Sequence, residues 1–86
     1  MDENSLLIKR LRFQSWHRGT RELDLILGQF ADQFLKSMTA EQHSEYALLL
    51  EENDADLWDW ISGALTLPRD KKGILLEQIR KFYLKD

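Results

Sequence analysis

Leu23, Ile26, Leu27, Phe30, Phe34 and Met38 recur at spacings of three and four residues. That spacing lines one face of an α-helix, whereas a strand would scatter the same side chains over both of its faces. The stripe predicts a helix from about Thr20 to Met38 with one side that must be covered. A chain of 86 residues buries only about 60–65% of the surface it exposes when unfolded, so the cover has to come from other short elements of the same chain.

Those elements carry the same period. A first segment, about Ser5 to His17, places Leu7, Ile8, Leu11 and Trp16 inward and meets Gly19, a residue suited to ending a helix. Thr39 with Gln42 three residues later forms a capping box, and Tyr46, Leu49 and Leu50 are the inner side of the helix it opens. Asp54 is read as the N-cap of a fourth segment with Leu57, Trp60, Ile61 and Ala64 inward, its end blurred by Gly63. After Pro68, the residues Leu75, Leu76, Ile79, Phe82 and Tyr83 give a last helix its apolar face. Strand signals are weak, with no Asn-Gly or Asp-Gly hairpin pair. The expectation is one all-α domain over residues 1–86, a small five-helix bundle.

Composition narrows the chemistry. Without cysteine there is no thiol nucleophile, no cysteine-based zinc site and no disulfide, which fits a reducing compartment. His17 and His43 fall on different predicted helices without ligand-type neighbours at i+3 or i+4, so no metal site is expected. The four glycines are scattered singly and build no phosphate cradle. Ser15 and His17 lack an evident third member for nucleophilic catalysis. An enzyme is not expected. The longest apolar runs are a few residues, so no direct membrane insertion is expected, and the acids Asp2 and Glu3 after Met1 do not suit a transit peptide; the cytoplasm is the expected location.

Charge is unevenly laid out. Residues 1–21 hold five Lys/Arg against two acids, residues 22–70 two against eleven, and residues 71–86 five against two. The basic stretch KRLRFQSWHRGTR leaves a nucleic-acid-binding helical module open as a reading, although the overall charge of −3 opposes a polyanion. An antitoxin-like protein-interaction module is the other open reading. The three tryptophans read as core, with Trp58 the one best placed for an exposed interface because it stands about 100° round its helix from Leu57.

The turn at residues 15–24, SWHRGTRELD, sets Arg18, Arg21 and Glu22 around Gly19. A helix connector accounts for the glycine and leaves the charges to be completed by solvent or by a partner.

Arg18-Gly19-Thr20-Arg21-Glu22, continued by Leu23-Asp24-Leu25, resembles the Arg-Gly-x-x-Glu hallmark of the succinate dehydrogenase flavinylation factors, small acidic five-helix proteins. The resemblance runs in order through the Phe30 region, Tyr46 to Leu50 and DADLWDWI, and one departure is His17, where many members carry a second Arg. It implies a chaperone-like assembly factor that binds the flavoprotein subunit of succinate dehydrogenase or fumarate reductase and promotes covalent attachment of that subunit's FAD. No cofactor bound stably to the factor itself and no nucleic acid are implied. Attachment in this family is largely self-catalysed and builds negative charge on the flavin ring, so an oriented, closed site is what a helper supplies.

The implied partner-binding residues are Arg18, Gly19, Glu22, His17, Arg21 and Asp24. Arg18 is expected to offer its planar fork to a carboxylate or carbonyl cluster at the interface, Gly19 to permit the tight turn and close backbone approach, and Glu22 to orient Arg18 or accept a bond across the interface. Without the resemblance, Glu22 reads as a helix-start acid favoured by the dipole. Removal of Arg18 or Glu22 is expected to leave the melting temperature within a few degrees.

Overall fold

A computed structural model of the chain describes residues 3–84. Five α-helices follow one another, α1 (Glu3–Trp16), α2 (Arg21–Phe34), α3 (Ala40–Leu49), α4 (Asp54–Ser62) and α5 (Lys71–Leu84), with a 3₁₀ turn at Leu35–Ser37 between α2 and α3. There is no strand among the described residues. The all-α five-helix expectation holds.

Most of the caps are those the side chains dictate. Thr20 Oγ1 accepts from Leu23 N at the start of α2. Thr39 and Gln42 bond reciprocally at the start of α3, at 3.1 Å and 2.8 Å. The start of α4 differs from expectation. Asn53, not Asp54, is the N-cap, its Oδ1 accepting from Asp56 N at 2.8 Å. Asp54 is the first helical residue, which frees its carboxylate for another partner. Gly63 ends the helix cleanly instead of blurring it, at φ +92°, the left-handed cap that glycine adopts without a Cβ penalty.

The stripe helix is also shorter than its period suggests. It gives way at Leu35 to the 3₁₀ turn, closed by Met38 N donating to Leu35 O at 3.3 Å. Two demands decide this, one of packing and one of capping. Leu35 is fully buried and brings the chain inward, and Thr39 needs an extended backbone, ψ 167°, to cap α3. Met38 is left half-buried outside any helix. The buried His43 donates from Nε2 to Leu35 O at 2.6 Å and so seals the same turn.

α1 and α2 form an antiparallel hairpin whose closeness depends on Gly28. A Cβ there would lie 2.2, 2.4 and 2.6 Å from atoms of the Trp16 indole. One step along, Arg12 Nε donates to Asp32 Oδ1 at 2.8 Å and Trp16 Nε1 to the same oxygen at 3.3 Å. Inside the hairpin, the buried Ser15 hydroxyl donates to Leu11 O at 2.7 Å, which leaves its oxygen to accept from Tyr46 at 2.6 Å. That bond ties α3 to α1.

Phe30, Phe34 and Phe82 pack with ring centroids 4.9–5.7 Å apart, which fastens α5 across α2. The inward face of α5 is Leu75, Leu76 and Ile79; Tyr83, read as part of it, lies largely outside and meets Trp58 edge-on at 6.0 Å. Trp58 is half-buried, packed in part against the core. Ala64 falls beyond the end of α4 and is exposed, so Leu57 and Ile61 alone carry the fully buried side of that helix.

Candidate functional site

The turn between α1 and α2 is held by its own side chains before anything else touches it. Gly19 has φ +114°, a region that favours glycine strongly. Asp24, in the first turn of α2, reaches back so that Oδ1 accepts from Arg18 N at 2.5 Å and from Gly19 N at 3.3 Å. The two amides that precede the helix are thereby satisfied by a carboxylate placed at the positive end of the helix dipole.

Arg18 turns inward. Its guanidinium donates from Nη1 to Leu50 O and from Nη2 to Glu52 O, the latter at 2.6 Å. Its Nε donates to Asp54 Oδ1 at 3.1 Å, and Nη2 stands 3.0 Å from the same carboxylate oxygen. The side chain is only 14% exposed. Leu50 is the C-cap of α3, so the fork fills carbonyls that a helix end leaves open, and its positive charge sits at the negative end of the dipole. Arg80 repeats the device at α4, where Nη2 donates to Trp60 O at 2.6 Å.

The clamp continues into α5. Glu52, whose carbonyl Arg18 holds, pairs through its carboxylate with Lys72 Nζ, and the ammonium lies 5.8 Å from the centre of the Trp60 ring. The hydrogen bond it donates to the Glu52 carboxylate pushes the pKa of the Lys72 ammonium above its usual range. The α1–α2 turn, the α3–α4 turn and the start of α5 thus form one braced corner.

The expected site residues divide into two groups. Arg18 and Asp24 work from inside, one clamping the neighbouring turn and one tying the amides, so Arg18 does not present its fork to solvent. Nor does Glu22 orient it; Asp54 and two carbonyls do. His17, Gly19, Arg21 and Glu22 are exposed. His17 stacks on Phe13, with ring centroids 4.1 Å apart, and bonds through Nδ1 to Phe13 O at 2.8 Å. Glu22 sits in the first turn of α2, as the dipole reading has it, and lines a groove of about 920 Å³ together with Ile26, Phe30, Phe34 and Phe82.

Sequence reading did not find Asp54, Leu50 and Glu52 as partners of Arg18. A backbone carbonyl has no residue signature, and Asp54 stands in the acid-rich run EENDAD, where a cap is the simpler role. Among the described residues no group of three or more His, Asp or Glu gathers to hold a metal ion, and no helix is long and apolar enough to cross a membrane.

Residues 9–83 match the family model described as flavinator of succinate dehydrogenase. The chain is 38% identical over 71 residues to the FAD assembly factor SdhE of Acetobacter pasteurianus, covering 83% of this chain and 65% of that protein. It is 43% identical over 77 residues to the mitochondrial succinate dehydrogenase assembly factor 2 of Kluyveromyces lactis, covering 85% and 47%. Against the protein of the same name from Dictyostelium discoideum it is 34% identical over 80 residues, covering 93% and 57%. The chain thus spans about half to two thirds of the length of these relatives. On the match across residues 9–83, this chain belongs to the succinate dehydrogenase flavinator family.

Proposed function

We propose that this chain is an assembly factor that docks on the flavoprotein subunit of succinate dehydrogenase, or of the related fumarate reductase, and promotes covalent attachment of FAD to that subunit. In this reading it works in the cytoplasm and makes or breaks no bond itself. What supports the reading is family membership together with one geometric fact: the Arg18–Glu22 turn is rigid and yet open. Asp24 and the Arg18 clamp fix its backbone, while His17, Gly19, Arg21 and Glu22 remain exposed on it. A surface set before it meets its partner loses little entropy on docking. It can therefore hold a partner's segments in a reactive arrangement by binding that arrangement more tightly than the others, which shifts its population.

The test is covalent flavin, read as in-gel fluorescence of the denatured flavoprotein subunit made in cells that lack their own factor and are supplied with variants of this one. Glu22→Ala and Arg21→Ala replace exposed side chains, so their melting temperatures stay within a few degrees of the parent while flavin attachment falls. Full attachment with both variants at normal abundance would move the docking surface away from this turn, and no attachment with the parent chain would refute the function.

A further inference from the structure

The outer face of α1 is left without an account by the bundle. Leu6, Lys9, Arg10, Phe13, Gln14 and His17 are all exposed. At 100° per residue the five on the helix lie within an arc of about 140°, opposite the buried Leu11 and Ser15, and His17 follows directly after the helix end. Phe13 is 65% exposed, an unusual position for a phenylalanine, and its ring is held flat against His17 with 20° between planes. Arg12 is spent on Asp32. Lys9 and Arg10 make no ion pair among the described residues, nor does Arg21 just past the turn. No acid interrupts the chain from residue 4 to residue 21.

We propose that this cationic, aromatic-centred face of α1 is a second half of the docking surface and takes an acidic patch with an apolar centre on the same flavoprotein subunit. The inference rests on the functional reading above, and two observations carry it. The face runs without a break through His17 into the exposed turn, so a partner seated on Gly19 and Glu22 has α1 beside it. Its charge is of one sign, in a chain whose net charge is −3, which selects an acidic partner and steers its approach. Phe13 supplies the desolvated anchor, with Lys9, Arg10 and His17 as its polar rim.

The experiment is direct binding of the full chain to purified flavoprotein subunit at about 50 mM and about 300 mM salt, a range over which screening of exposed charges changes strongly. The double reversal Lys9→Glu with Arg10→Glu raises Kd about tenfold or more at low salt and flattens the salt dependence. Phe13→Ala raises Kd about thirtyfold at both concentrations. Lys36→Glu with Lys81→Glu, a double reversal at exposed positions away from α1, changes net charge by the same amount, leaves Kd within about twofold and so controls for net charge. If the α1 variants bind like the Lys36/Lys81 double variant, the inference is overturned while the turn keeps its function. A labelled nucleic-acid duplex that binds the parent chain and is lost on the double reversal would overturn the choice of an acidic protein surface. If the parent chain does not bind the subunit at either concentration, the functional reading fails first.

Discussion

Arg18 Nε donates to Asp54 Oδ1 across 3.1 Å and so joins two turns that lie 36 residues apart in the chain. The motif arginine is a brace inside the molecule, and what the motif leaves exposed is the backbone and the side chains that the brace holds in place.

Arg18→Ala, expected from the sequence to leave the melting temperature within a few degrees, instead lowers stability, because the side chain is a largely buried clamp. The fork makes charge-assisted bonds to two carbonyls and one carboxylate from a largely buried position, and their loss costs about 2–4 kcal/mol. In a chain of this size that lowers the melting temperature by about 10–20 °C, which circular dichroism resolves. Arg18→Lys keeps the charge without the fork and recovers only part of the loss. An unchanged melting temperature for Arg18→Ala would mean that the clamp carries no net energy.

Gly19 and Gly63 separate backbone strain from docking. Both have positive φ, +114° and +92°, so alanine at either site costs about 1–3 kcal/mol. A Cβ at Gly63 meets nothing within 4 Å, whereas at Gly19 it comes within 3.3 Å of Asp54 Oδ2 and stands on the exposed turn. Gly63→Ala keeps flavin attachment after correction for abundance. Gly19→Ala loses part of it, and Gly19→Arg loses it entirely.

Gly28→Ala tests the α1–α2 contact. The new methyl overlaps the Trp16 ring, and overpacking at a close helix crossing costs about 1–3 kcal/mol. The indole must move off Asp32, so the variant's Trp fluorescence shifts together with its melting temperature. Gly28→Ala with the parent's stability and spectrum would place the ring elsewhere.

Tyr46 gives the fold an alkaline limit. Burial pushes its hydroxyl up from 10 to about 12. The folded state therefore keeps a proton that the unfolded chain releases, and stability falls as pH rises from about 10 toward 12, by about 2–3 kcal/mol in all. Tyr46→Phe gives up the bond to Ser15 and is less stable at neutral pH by about 1 kcal/mol. It also lacks this alkaline step, so in chemical denaturation the parent's advantage shrinks above about pH 10 and reverses before about pH 12.

What the sequence determined by itself was whatever depends on neighbours within a few residues. The three-and-four spacing of Leu23 to Phe34 set α2, Thr39 with Gln42 set the start of α3, and Gly19 marked a turn; each rests on local backbone geometry and reads directly. Only the tertiary structure decided which way Arg18 faces, because its partners are two carbonyls and a carboxylate more than thirty residues away, and a helix end reveals its open carbonyls only once the chain has folded. The same holds for Gly28, whose role exists only where Trp16 packs on it, and for Leu35, whose burial ended the stripe helix before its period ran out. Local chemistry chose the helices, and long-range packing chose which charges the corner keeps and which it shows.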